Sequence, residues 1–172
     1  MQKFIGVILI IVASAGIGYQ KGIYLSRSLE EMQELQRIFL MLRSEVEYTN
    51  TPFREAFFRI GDRTAGKYQR WMFRLAESLN ERNGQNFLEL WKETLSEYQK
   101  ETDLDRKNWE LLMNMGANMG YADRVMQLGA IDLYLEQLKL HIRQMQEEIP
   151  ERRRIFNCLG VMGGIFVAVV LV

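Results

Sequence analysis

Residues able to do chemistry are sparse in this 172-residue chain, and their spacing limits what each can do. His141 is the single histidine. It lies among Lys139, Leu140, Ile142 and Arg143, with no second imidazole or soluble-domain thiol to complete a metal site, so a solvated helix position is expected rather than a ligand or base. Glu45 and Glu47 match an acid–base pair in type only. Residues two apart on a helix point to different faces, so a structural or binding role is expected for them. Gly160-Val161-Met162-Gly163-Gly164 is glycine-rich, but it follows no strand and lies in an uncharged apolar run, which removes a phosphate-loop reading. Cys158 in the same run is the one cysteine, so no disulfide forms within the chain. It is expected as an inert apolar thiol, with acylation as the alternative. No catalytic, cofactor-binding or metal-binding residue is assigned, no enzyme signature is found, and neither a cofactor nor a small-molecule substrate is expected.

The 22 basic residues are balanced by 22 acidic ones, so no net field recruits nucleic acid. Hydrophobicity is instead concentrated at the two ends. Phe4 to Tyr19 carries no charge, and neither does Ile155 to Val172. About 18 uncharged apolar residues suffice to cross roughly 30 Å of hydrocarbon at about 1.5 Å per residue. The second run meets this length, and the first approaches it when Gly22-Ile23-Tyr24-Leu25 extends its apolar face and Lys21 snorkels. The expected organisation is a transmembrane helix over residues 4–25, a soluble helical bundle over 26–150, and a second transmembrane helix over 155–172. Gly160 with Gly164, and Gly18 with Gly22, have the four-residue spacing that lets helix backbones approach closely in lipid. Lys21, Arg27 and Arg37 follow the first run and Arg152, Arg153 and Arg154 precede the second, so the positive-inside bias puts the bundle in the cytoplasm. Ala13-Ser14-Ala15 leaves a second possibility open: a signal-peptidase site, giving a secreted or single-span helical adaptor or sensor.

The middle of the chain is rich in Glu, Leu, Met, Gln and Arg and lacks strand-like runs, which predicts an all-α fold of about six helices between the two spans. Met32, Leu35, Phe39, Leu42 and Val46 step by 3, 4, 3 and 4, one face of a first helix that continues to about Tyr48. Thr51 is the expected cap of a second helix with Pro52 at its first position, ending near Ile60. Gly61 to Gly66 is expected as a loop. Tyr68, Trp71, Met72, Leu75 and Leu79 line a third helix closed by Asn83-Gly84, and Phe87, Leu88, Trp91, Leu95 and Tyr98 line a fourth. Thr102 and Asp105 form a capping-box-like pair before a fifth helix bearing Trp109, Leu112, Met113 and Met119, with Gly120 as a left-handed cap. Leu128, Ile131, Leu135, Leu138, Ile142, Met145 and Ile149 step by 3 and 4 in alternation, predicting a long sixth helix, antiparallel to the first, that Pro150 interrupts or kinks.

Between the fifth and sixth helices, Asp123 complements a helix dipole and Gln127 lies four residues on along the same face. The polar cluster from Gly116 to Gln127 is either a capped turn or a corner that touches a partner. Glu45-Val46-Glu47-Tyr48 followed by Pro52, the run Gly116-x-x-x-Gly120-x-x-Asp123-Arg124-x-x-Gln127-x-x-x-Ile131, and Leu159-Gly160-Val161 at the second apolar run together resemble the stage III sporulation protein AB family. Phe53 stands where Leu would be expected, and residues 61–100 match in helical character only. The resemblance implies a component of a secretion-like channel complex in the mother-cell membrane around the forespore. Its partners would be other membrane subunits of the sporulation complex, with a cytoplasmic ATPase among the candidates. The family's bundle is also similar to the cytoplasmic domains of type II secretion and type IV pilus platform proteins. Glu45, Glu47, Tyr48, Pro52, Gly116, Gly120, Asp123, Arg124 and Gln127 are the expected partner contacts, and Gly18, Gly22, Gly160 and Gly164 the expected membrane-packing positions.

Overall fold

The computed structural model describes residues 2–49, 51–81, 85–120 and 123–171, with side chains described for 23–48, 51–81, 85–117, 119–120 and 123–150. Every regular element among them is helical. In chain order these are α1 (Gln2–Ser44), a π turn (Glu45–Thr49), α2 (Phe53–Asp62), α3 (Gly66–Asn80), α4 (Phe87–Ser96), a 3-10 turn (Gln99–Glu101), α5 (Arg106–Met119) and α6 (Arg124–Leu171). The chain divides into two compact units, one of Met1–Leu29 with Ile142–Val172 and the other of Glu30–His141.

In the first unit the apolar runs Phe4 to Tyr19 and Ile155 to Val172 lie outside the residues whose side chains are described, together with Gly18, Gly22, Cys158, Gly160 and Gly164. Among the described residues no helix is long and apolar enough to cross a membrane. Pro150 does not interrupt α6, which runs through it to Leu171. Proline removes one backbone donor and crowds the preceding turn, yet a long helix tolerates that loss where its remaining ladder holds.

The second unit is the bundle. The seam expected on α1 is buried throughout, with Met32, Leu35, Phe39, Leu42 and Val46 joined by Ile38. On α6, Ile131, Leu135 and Leu138 are buried and Tyr134 joins them. Phe39 packs on Tyr134 at 4.3 Å between ring centroids, while Arg43, four residues on, grips Asp132, two residues back. Contacts that advance on one helix and retreat on the other fix these stretches as antiparallel, as the sequence predicted.

Trp91 on α4 is the hub of the core and has no exposed surface. Its ring meets Trp71 of α3 at 4.9 Å, Phe39 of α1 at 6.2 Å and Phe57 of α2 at 6.4 Å. Edge-on and tilted aromatic contacts at these separations add to the burial of large apolar surface. The indole nitrogen donates to the Leu112 carbonyl of α5 at 3.0 Å, so one side chain ties five helices.

Several local expectations are corrected. Thr51 caps nothing by its side chain: Pro52 occupies the N-cap of α2 and its carbonyl accepts from Glu55 and Ala56, with Phe53 as the first helical residue. The loop expected over Gly61 to Gly66 is shorter, because α2 continues to Asp62 and α3 starts at Gly66, whose positive φ of 66° suits a residue without a Cβ. Asp105 caps α5 with its own side chain on the Asn108 amide, and Thr102 turns instead to Glu31. Gly120 ends α5 in a right-handed conformation at φ −72°, so it is not the left-handed cap that was expected. The Asn83-Gly84 stop falls outside the described residues.

Candidate partner interface

The end of α1 departs from α-helical winding where the Glu45-Val46-Glu47-Tyr48 motif begins. One extra residue per turn defines a π turn, which re-aims successive side chains and often occurs at functional sites. Within it the two carboxylates have different partners. Glu45 is buried and meets Arg59 of α2 at 3.4 Å. Glu47 is half-buried and accepts from Arg43 at 2.5 Å. Arg43 also reaches Asp132 on α6 through Nε at 2.6 Å and Nη2 at 3.4 Å. The Asp132 hydrogen bond, then the charges of Asp132 and Glu47, raise the Arg43 pKa, so the guanidinium is a fixed cation joining α1, the π turn and α6. Tyr48, beyond these pairs, is 77% exposed.

The second motif begins α6. Asp123 accepts from the Val125 amide at 3.0 Å and its carbonyl accepts from Gln127 at 3.1 Å, which makes it the N-cap. Arg124 is exposed and Gln127 half-buried. Gly116 faces inward: a Cβ there would lie 2.3 Å from Trp91 Cδ1, so glycine is what lets the indole rest on the α5 backbone. Gly120 is looser, its hypothetical Cβ lying 3.6 Å from Phe87 Cβ. Phe87 in turn packs on Phe53 at 5.6 Å, next to Pro52.

These contacts bring the two motifs to one end of the bundle unit, where α1 and α5 finish and α2, α4 and α6 begin. Tyr48, Pro52, Gly120, Asp123 and Arg124 are the exposed members there. Glu45 and Gly116 are internal and hold the end together. Nothing in this arrangement brings a nucleophile against a base, and among the described residues no group of acidic, His or Cys side chains could hold a metal ion.

His141 is not the solvated residue that was expected. It is half-buried, and its Nδ1 lies 2.7 Å from Oδ1 of Asn108. Because Asn108 Nδ2 donates to the capping Asp105, the amide oxygen is free to accept and His141 is the donor. Burial, and next the charge of Lys107, lower the imidazole pKa against a smaller opposing effect of Asp105.

Sequence reasoning missed a buried carboxylate cluster at the other end of the bundle unit's α1 segment. Glu31 is ion-paired with Lys67 of α3 and accepts from Thr102 Oγ1 at 2.7 Å, the Asp103 amide at 3.1 Å and Tyr68 Oη at 3.3 Å. Burial raises the Tyr68 pKa and keeps that phenol a donor. The only sequence signal was an acidic residue directly before Met32 on a core-facing stripe. It also missed the capping box of α4, in which Asn86 accepts from Glu89 N at 2.9 Å and Glu89 returns a bond to the Asn86 amide.

The described residues form an all-α bundle with an exposed corner of mixed charge and one aromatic. The chain belongs to the stage III sporulation protein AB family, whose description it matches over residues 3–172. It is similar to stage III sporulation protein AB of Bacillus subtilis (strain 168), with 20% identity over 171 residues and 99% of each chain covered. A solved structure of stage III sporulation protein AB (SpoIIIAB) shares the fold at a TM-score of 0.66 and 19% identity, covering 72% of this chain and 97% of that one.

Proposed function

We propose that this chain is a non-enzymatic assembly or platform subunit of a secretion-like channel complex between mother cell and forespore, anchored in the mother-cell membrane by residues 4–25 and 155–172. The observation that carries the reading is the extent of the family match. It runs from residue 3 to residue 172 and so includes both uncharged apolar ends as well as the bundle. The basic residues flanking those ends argue for a cytoplasmic bundle. Partner contact falls to Tyr48, Pro52, Asp123 and Arg124, whose side chains are exposed, Asp123 serving also as the cap of α6. The partners are other membrane subunits of the sporulation complex, with a cytoplasmic ATPase as a candidate at the exposed corner. Gly160 with Gly164, and Gly18 with Gly22, pack against neighbouring spans.

Cysteine variants at Tyr48 and Arg124, labelled with a membrane-impermeant reagent from each side, test the topology. Labelling from the cytoplasmic side is expected. Labelling only from the far side, with a mature mass lacking the first 15 residues, would replace the platform reading by the secreted adaptor. Gly160→Leu with Gly164→Leu is expected to weaken co-purification with the other complex subunits while the bundle stays folded, and undiminished co-purification would refute the packing role.

A further inference from the structure

The π turn that ends α1 is tied to the bundle on two sides. Glu45 lies inside and meets Arg59 of α2, which also bonds Glu55 at 2.6 Å. Glu47 accepts from Nη1 of Arg43, while Nε and Nη2 of the same guanidinium take the two carboxylate oxygens of Asp132 on α6 in a fork. All three nitrogens of Arg43 are thus engaged, and they join residues 89 apart in sequence.

Stability is a weak account of this arrangement. The side chains of Arg43, Glu47 and Asp132 are 35%, 31% and 50% exposed, and ion pairs in contact with water add little to folding, because solvent screens the charges and long side chains must be held still to form them. Their geometric consequence is local: residue 47 of the turn is fixed to α6. Tyr48 follows directly, and at 77% it is the most exposed of the large apolar side chains among the described residues. An aromatic ring offers a large contact area with only two side-chain torsions to order, so on a backbone already fixed it meets a partner at low entropic cost. The same ring on a loose turn would lose affinity to the ordering of that turn.

We infer that Tyr48 is the aromatic anchor of the partner interface and that Arg43 is its positioning residue, holding the π turn to α6 so that the ring is already presented when the partner arrives. The inference rests on the assembly role and the exposed corner proposed above. Arg43 acts through the turn, its three nitrogens being engaged within the chain, so its loss matters only while Tyr48 is there to be presented.

The test is co-purification of the other complex subunits with the tagged, intact chain, extracted in detergent from the cells that make it and quantified by mass spectrometry against an untagged chain as background. Tyr48→Ala is expected to lower their yield about tenfold, as truncation of an aromatic anchor does. Arg43→Gln is expected to lower it about threefold to fivefold while the thermal midpoint of the chain moves by less than about 5 °C. The double change decides the role of Arg43: in the Tyr48→Ala background Arg43→Gln is expected to have no further effect. A yield unmoved by Tyr48→Ala would overturn the anchor, and a yield unmoved by Arg43→Gln, or losses that multiply in the double variant, would overturn the positioning role. Should Arg43→Gln not fold, Asp132→Asn, which loosens the same fork from α6, takes its place in the cycle with the same outcomes. If the wild-type chain brings down no subunit the assembly reading fails, and if it does so and Tyr48→Ala brings down as much, only the present inference fails.

Discussion

Replacing Gly116 by alanine sets two effects of opposite sign against each other. In an exposed helix the change gains about 0.5–1 kcal/mol, because alanine gives up less backbone freedom on folding. At Gly116 the new methyl would lie 2.3 Å from Trp91 Cδ1, 2.4 Å from Cγ and 2.9 Å from Cβ. Carbon atoms settle at about 3.5–4.0 Å, so more than an ångström must open between α5 and the indole. Trp91 cannot retreat, since Trp71, Phe87, Phe39 and Phe57 surround it at 4.9 to 6.4 Å between ring centroids. Overpacking of this kind costs about 1–3 kcal/mol, and displacing the indole from the Leu112 carbonyl adds about 1 kcal/mol or more for a buried donor left unpaired. The net expectation is a loss of about 2 kcal/mol, or a midpoint lower by about 8 °C for a unit of this size.

Thermal unfolding of the full-length chain in detergent, followed by tryptophan fluorescence and circular dichroism, reads the effect. Two companions lack the clash. Gly120→Ala, whose methyl would lie 3.6 Å from Phe87 Cβ, is expected to change stability by less than about 1 kcal/mol. Gly129→Ala, with open space around it, is expected to gain about 0.5–1 kcal/mol. If Gly116→Ala were as stable as the parent while Gly129→Ala rose, the close approach of Trp91 to α5 would be wrong.

Glu31→Gln is expected to lower stability by about 1–3 kcal/mol in urea unfolding, because it removes the ion-pair partner of the partly buried Lys67 ammonium and leaves it the more distant charges of Asp103 and Glu101. The double change Glu31→Gln with Lys67→Met, which keeps an acceptor for Thr102 and Asp103, should recover most of that loss, and a failure to recover would show that the hydrogen bonds to Glu31, rather than the ion pair, carry the effect. For His141 the folded-state pKa is below the unfolded one, so its contribution is full above the unfolded value of about 6.5 and is lost as pH falls through the folded value. His141→Gln, which keeps a donor for Asn108, should therefore lose less stability than the parent between neutral and mildly acidic pH. Identical slopes for the two proteins would mean that the imidazole is not desolvated.

The long periodic segments were legible because helix burial follows a repeat that the residues write directly: Met32 to Val46 on α1 and Ile131 to Leu138 on α6 are buried as their spacing predicted. Caps and turns were less legible, since each depends on a choice between near-equivalent donors. Thr102 and Asp105 both offer an oxygen three residues before a helix position, and only the fold reveals that Glu31, distant in sequence, claims Thr102. The π turn was invisible for a related reason. One extra residue per turn leaves no periodic trace in five residues.

The candidate interface was legible in its residues but not in their roles. The run from Gly116 to Gln127 has the features of a binding motif, yet Gly116 serves Trp91 and Asp123 serves the first turn of α6, so half of what distinguishes the motif is needed to fold this corner. Glu45 is likewise internal. What these residues build is the platform on which Tyr48, Pro52 and Arg124 are held outward. The same distinction identifies Gly129, which the periodic reading passed over because it lies between two core positions. A glycine with a tryptophan above it is accounted for by the chain itself. A glycine in an exposed turn, with Met126 and Leu133 one turn to either side and nothing within 4 Å of a Cβ among the described residues, has no such account in the contacts described.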